Sequence, residues 1–272
     1  MKTDRSPWLC LLVWTAALVA ALPMVLLVLW SFTNRWPGPL IFPEAFSLRG
    51  WERLFSGYLN VGLVTARSIG LSLSAGALSA IIAAMASRAL CLYSFPGKRL
   101  VEGLAMLPVI VPATVFGMGS RILFVRMGLG GSLAAVLICH LIITLPFALR
   151  IMLETTRMAS FRLEEQARAL GASPFAAFWY GALPAIAPGM ISAMALSFLF
   201  SYAQYFLTLV IGGGKVKTLA IIVMPLIQGS DRTVSSAYSL LFIASAAGIF
   251  ALLQGLAAFV AKYTGKQLGG AS

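Results

Sequence analysis

Twenty uncharged residues lie between Arg67 and Arg88, and this run constrains the fold more than any other stretch of the chain. As a helix it would be about 30 Å long, which matches the hydrocarbon core of a lipid bilayer. Only 10% of all residues are charged and 60% are hydrophobic, whereas soluble domains carry about 25% charged residues. The sequence therefore predicts an all-α, polytopic integral membrane protein.

The chain has room for about six spans joined by short loops, and a separate soluble domain would not fit. The first apolar run exceeds the 7–15 residues of a signal-peptide core, which favours a retained first span. The third run contains Pro108 and Pro112, so we expect it to be kinked toward the bundle interior. The predicted spans of this single transmembrane domain (1–272) are 9–32, 68–88, 100–124, 132–151, 189–211 and 236–261.

Several other functions are disfavoured by the sequence. The formal charge of +12 comes from basic residues at the ends of apolar runs, which is typical of lipid headgroup anchoring rather than of nucleic-acid binding. The three cysteines form no CxxC pair, so we expect neither a disulfide nor a metal site. The glycine-rich segment 212–215 fails as a phosphate loop, because Leu209 and Val216 stand where the motif needs Gly and Ser or Thr.

Small residues recur every four positions along the second predicted span. Such a ladder allows another helix to approach closely, although small residues are also common in membrane spans generally. We expect it to form a packing seam between helices. Its members are Ser68, Ser72, Gly76, Ala80 and Ala84.

Polar side chains in the later spans are candidates for function. Ser197, Ser201 and Gln204 have the spacing of one helix face, and that face is expected to turn inward, toward a neighbouring helix or a solute path. His140 is the only histidine, and packing is the alternative to a functional role. The alternative function classes are a membrane-embedded enzyme and an ion-coupled secondary transporter. Neither is favoured, since the spans show no second histidine, no metal-ligand spacing and no charge at mid-span.

A charged segment, 160–184, interrupts the apolar sequence. Ser160 is placed to cap a short helix over 161–170, and Gly171 is placed to end it in a left-handed conformation. Ser173 and Pro174 then have the cap-and-proline pattern that begins a second helix, which Pro184 is predicted to end. We call the resulting helix-turn-helix unit the elbow.

The second helix of the elbow is expected to expose three aromatic residues. They are Phe175, Phe178 and Trp179. Aromatic surface on a loop between spans favours burial against a partner or the membrane edge, although a solvated surface helix would also satisfy the pattern of the first helix.

The elbow resembles the signature loop of the inner-membrane permeases of binding-protein-dependent ABC importers. The family pattern is Glu-Ala-Ala, three residues, Gly, nine residues, Ile-x-Leu-Pro. Gln166 and Gly181 depart from it, and the resemblance continues through spans two to six, including the turn 95–97. The matching positions are Glu165, Ala167, Gly171, Leu183 and Pro184.

This resemblance implies a permease subunit that moves a small solute, delivered by a periplasmic binding protein, by alternating access. The implied partners are cytoplasmic ATP-binding subunits and a second permease subunit, identical or different. The chain carries no Walker motif, so it is expected to use no cofactor and not to be an enzyme. The residues implied in coupling to the ATPase are Glu164, Glu165, Ala167, Arg168, Gly171, Ser173 and Pro174.

The resemblance also implies that the elbow and both termini are cytoplasmic, in a multi-pass protein of the bacterial inner membrane. Charge alone does not settle this orientation, because eleven Lys and Arg lie on the elbow side and nine on the other. The subgroup looks like the spermidine/putrescine, iron(III), thiamine and phosphonate permeases. However, the stretch 201–205 lacks the acidic pair common in polyamine permeases, which disfavours a polycation.

Overall fold

A computed structural model describes residues 7–34, 45–57, 59–159 and 162–269. In these ranges the chain is helical and forms no strand beyond an isolated bridge between Thr33 and Phe46. The helices are α1 Pro7–Ser31, α2 Arg49–Phe55, α3 Val61–Leu92, α4 Lys98–Ile110, α5 Ala113–Arg126, α6 Leu133–Met158, α7 Arg162–Ala169, α8 Pro174–Ala177, α9 Leu183–Tyr202, α10 Phe206–Gly212, α11 Leu219–Gln228 and α12 Arg232–Gly269, with a π-turn at Phe178–Ala182.

Five of the described helical segments are long and apolar enough to cross a membrane, and the bent pair α4–α5 would make a sixth span. The prediction of an all-α polytopic protein is therefore confirmed. α3 and α12 extend beyond both ends of the predicted spans 68–88 and 236–261, whereas α6 begins one residue after the predicted start of 132–151 and extends beyond its end. Residues 219–228, which lie between the fifth and sixth predicted spans, are helical, as are residues 49–55 between the first and second.

The third predicted span, 100–124, is not one continuous helix. α4 and α5 meet at an angle of 101°, with Val111 in an extended conformation between them. Pro112 explains the break, because a proline disfavours helical geometry at the preceding residue and has no N–H to continue the hydrogen-bond ladder. The predicted kink is present, and it is sharp enough to divide the span.

The fifth span also differs from the prediction of 189–211. A continuous helical segment runs from Pro174 to Tyr202, is interrupted at residues 203–205, and resumes as α10. Pro184 does not end the elbow helix as expected. Since Pro184 cannot donate a hydrogen bond, the chain widens into the π-turn, where the Leu183 N–H donates to the Phe178 carbonyl, and then continues as α9.

The described residues separate into two compact units. The first lies within Met1–Gly62 and Ile222–Ala244. Its parts are joined by an ion pair of 2.7 Å between Arg49 and Asp231 and by the Thr233 hydroxyl, which donates to the Thr33 carbonyl at 2.9 Å. These contacts fix the segment after α1 against the beginning of α12.

The second unit lies within Leu63–Ile221 and Ser245–Ser272, and its core is formed by α3, α6 and α9. All five members of the small-residue ladder on α3 are buried. A Cβ atom at Gly76 would lie 2.7 Å from the Met194 carbonyl oxygen of α9, so the two backbones touch there. The predicted packing seam is confirmed.

Hydroxyl pairs fix α3 against α6. Ser79 and Thr144 are 2.7 Å apart, and Ser87 and Thr156 are 2.9 Å apart. Such bonds are favourable within a bilayer because lipid tails offer no alternative partner, with a typical contribution of about 0.6 kcal/mol each. They set the register between the two helices.

Gly76→Val is expected to separate α3 from α9 and to destabilise the protein by about 1–3 kcal/mol, because the added atoms meet backbone rather than a movable side chain. Thermal unfolding in detergent would measure the loss. Gly70→Val is the matched control, since a Cβ there would meet nothing within 4 Å. Equal unfolding temperatures for the two variants would contradict close packing at Gly76.

Candidate functional site

The first helix of the elbow is α7, which ends as predicted at a left-handed glycine. Gly171 has φ +89°, and the Ala172 N–H donates to the Ala167 carbonyl at 2.9 Å. A residue with a side chain would be strained in that conformation. The predicted cap Ser160 and the first residue of the predicted helix, Phe161, lie outside the described residues.

The second helix of the elbow begins as predicted. The Ser173 hydroxyl accepts a hydrogen bond of 3.2 Å from the Ala176 N–H, and Pro174 occupies the first turn. This cap satisfies one of the amides that a helix start leaves unpaired. The direction of α8 is therefore set directly after the Gly171 turn.

Arg88, at the cytoplasmic-side end of α3 in the predicted orientation, ties the two helices of the elbow together. One guanidinium nitrogen lies 2.9 Å and 3.1 Å from the two carboxylate oxygens of Glu164 on α7. The guanidinium carbon lies 4.7 Å from the ring centre of Phe178 at the π-turn. The side chains of Arg88 and Glu164 are only 17% and 13% exposed, so water screens this pair weakly. We call these three residues the clamp.

The outer surface of the elbow is apolar and exposed. Leu170, Phe175 and Tyr180 are 89%, 71% and 80% exposed, and the ring of Trp179 stacks on that of Phe175 with centroids 5.8 Å apart. Two of the aromatic residues predicted to be exposed are therefore exposed. Phe178 is half-buried, because it packs beneath Arg88 and against the core of the second unit.

The predicted coupling residues divide into two groups in the structure. Glu165, Arg168 and Pro174 are exposed, whereas Glu164 points inward to Arg88 and Ala167 is half-buried. Sequence reasoning treated Arg88 only as the end of a span, because a partner 76 positions away leaves no local pattern.

His140 is fully buried and makes two hydrogen bonds. Its Nδ1 lies 2.8 Å from the Ser201 hydroxyl and its Nε2 lies 2.9 Å from the Thr208 hydroxyl. The Thr208 hydroxyl donates its proton to the Gln204 carbonyl, so it must accept from Nε2–H, and Nδ1 must accept from Ser201. His140 thus connects the end of α9 to α10 across the break at 203–205.

The predicted polar face of span five is only partly formed. Ser197 and Ser201 lie on α9 and are buried, but Gln204 lies in the interruption and not on the helix. Ser201 bonds to His140, while the Ser197 hydroxyl has no hydrogen-bond partner in the described part of the chain. The helix break that displaces Gln204 was not visible in the serine spacing.

One family profile covers the elbow, most of α3 and the broken span after the elbow. The profile of the family described as binding-protein-dependent transport system inner membrane component matches residues 76–265. The chain belongs to this family. It is a transmembrane permease subunit of a binding-protein-dependent importer, in the inner membrane, and not itself an enzyme.

Individual relatives in this family are named for different solutes. The trehalose transport system permease protein SugB of Mycobacterium tuberculosis is 26% identical over 211 residues, which cover 75% of this chain and 77% of SugB. The spermidine/putrescine transport system permease protein PotC of Haemophilus influenzae is 26% identical over 209 residues, which cover 76% of this chain and 79% of PotC. The sulfate transport system permease protein CysT of Synechococcus elongatus is 30% identical, over 54% of this chain and 57% of its own.

Glu164→Gln is expected to loosen the elbow, because it leaves the Arg88 charge without its carboxylate in a weakly hydrated position. The loss of about 2 kcal/mol corresponds to about 30-fold faster amide hydrogen exchange of residues 162–182. Mass spectrometry of the deuterated protein would measure it. Glu154→Gln is the control, since its ion pair with Arg157 is exposed. Exchange that is equally slow in both variants would contradict the clamp.

Proposed function

We propose that the elbow is the element through which a separate cytoplasmic ATP-binding subunit drives this permease. The exposed face formed by Leu170, Phe175, Trp179 and Tyr180 carries the proposal. Clustered aromatic and aliphatic side chains of this kind dominate the energy of protein interfaces. Phe175 lies on the capped helix α8, Leu170 directly precedes the Gly171 turn, and Trp179 and Tyr180 lie in the π-turn. This placement on hydrogen-bonded backbone supports an ordered contact surface.

Each predicted coupling residue has a proposed role in this contact. Glu165 and Arg168 are exposed beside the apolar face, so they would pair with charges on the ATP-binding subunit. Gly171, Ser173 and Pro174 set the angle between the two helices of the elbow, and Ala167 accepts the hydrogen bond that closes its turn. Glu164 acts from within, through Arg88.

The clamp supports the transmission of movement. Because Arg88 belongs to α3 and the π-turn continues into α9, displacement of the elbow would act on two core helices together. ATP can shift the permease between inward-facing and outward-facing states only if the ATP-binding subunit binds the two states with different affinity. We propose that a second permease subunit completes the path and that a periplasmic binding protein delivers the solute.

The break at 203–205 supports a solute path near Gln204. Non-helical backbone at membrane depth is tolerated where protein buries it or where it lines a water-filled cavity. Ser201 and Ser197 precede the break on α9, and Ser201 is engaged by His140 in this conformation. We propose that all three residues border the path, and that Ser201 reaches it only when the His140 bond opens.

The sequence of this chain narrows the class of solute more than the names of its relatives do. The relatives are named for a disaccharide, for polyamines and for sulfate. Residues 166–230, which include the whole of α9 and α10, contain no Asp or Glu. A path bordered by these helices would not offer carboxylates to a polycation.

We expect Leu170→Glu to lower co-purification of the ATP-binding subunit about tenfold or more, since it places a charge in the proposed contact. The full importer would be expressed from its own subunits and purified through this chain. Met127→Glu, which alters an exposed apolar residue in the turn after α5, should leave co-purification unchanged. Undiminished recovery with Leu170→Glu in correctly inserted protein would refute the docking proposal.

The proposed orientation places the elbow and both termini in the cytoplasm. Met127 and Met158 are exposed near opposite ends of α6, so cysteines there report opposite faces. With Cys10, Cys91 and Cys139 replaced by serine, Met127→Cys should react with an impermeant maleimide in spheroplasts. Met158→Cys should react only after permeabilisation and denaturation of any bound subunit. The reverse pattern would place the elbow outside.

A further inference from the structure

A cavity of about 350 Å³ lies at the far end of α6 from the elbow. Its walls come from α5, from the glycine turn that joins α5 to α6, and from the end of α10 with the turn that follows. The Gly131 N–H donates to the Ile211 carbonyl at 3.2 Å, which holds the two turns together. The cavity is thus part of the packed second unit.

Two cations line this cavity from different elements. Arg121 belongs to α5, and Lys215 follows α10. In the ranges that the structure describes, neither side chain makes an ion pair. The sequence offers no nearby carboxylate either, because residues 103–153 and 166–230 contain no Asp or Glu. Positive charge is therefore concentrated here without internal compensation, which attracts anions.

Glycines keep the cavity open between the cations. Gly131 has φ +73°, and a Cβ atom there would lie 3.2 Å from the Lys215 Cδ atom. A larger residue would thus be strained and would crowd Lys215. Gly128 and Gly213, which also line the cavity, have positive φ values of 73° and 55°.

We propose that this cavity is a binding site for an oxyanion group, namely a phosphate, phosphonate, sulfate or carboxylate. The Arg121 guanidinium would bind it through two N–H groups, and the Lys215 ammonium would neutralise it from the second turn. The cavity is much larger than a bare oxyanion, so the group would carry an organic substituent. A soluble anion and an anionic lipid headgroup share this chemistry.

The test measures the acylation rate of Lys215 in the importer complex reconstituted in nanodiscs, by peptide mass spectrometry. One arm uses phosphatidylcholine discs with sodium sulfate or sodium chloride at equal ionic strength. The other arm replaces part of the phosphatidylcholine with phosphatidylglycerol and contains no sulfate. Lys217 is the internal control, because it is exposed nearby and does not line the cavity. Nanodiscs expose both faces, and no ATPase activity is needed, so the result is independent of the proposed coupling and orientation.

We expect labelling of Lys215 to slow about threefold or more relative to Lys217 in one of the two arms. Protection by sulfate would assign the site to a soluble oxyanion, and protection by phosphatidylglycerol alone would assign it to a lipid headgroup. Arg121→Gln should abolish the protection, whereas Arg126→Gln should retain it. A ratio of Lys215 to Lys217 labelling rates that changes with neither sulfate nor phosphatidylglycerol, or full protection in Arg121→Gln, would overturn the proposal.

Discussion

The close approach of α3 to its neighbours is the constraint on which the second unit depends. Hydrocarbon tails are as apolar as leucine side chains, so no hydrophobic force drives these helices together within a bilayer. Contact must come from backbone proximity and from polar bonds. Gly76 provides the first, against Met194, and the pairs Ser79–Thr144 and Ser87–Thr156 provide the second. The position of Arg88, one residue after Ser87, follows from this packing.

The clamp and the His140 contact have the same structural role at two places in the second unit. In each, a polar side chain from one helix joins two segments where regular helix geometry changes: Arg88 at the elbow and π-turn, His140 at the break after α9. A buried polar group is costly unless its partners are in place, so each contact specifies one local arrangement. The proposed movement of the permease would have to exchange such arrangements rather than deform them gradually.

Local signals predicted local structure well. The apolar run after Arg67 identified a span, the small-residue ladder identified a seam, and Gly171 with Ser173 identified the elbow turn. The errors arose where tertiary packing outweighs propensity. Pro184 was expected to end a helix, but the π-turn accommodates it. Gln204 leaves the serine face because the helix stops at Tyr202, a break that the sequence spacing does not encode.

The uninterrupted helical path from Pro174 to Tyr202 gives the elbow mechanical reach. Its 29 residues correspond to a rod about 43 Å long. The end at Pro174 carries the apolar face, and the end at Tyr202 lies beside His140. For a rod of that length, a tilt of about 5° at one end displaces the other by about 4 Å. This exceeds the reach of a hydrogen bond, so a small rotation of the elbow would be enough to part Ser201 from His140.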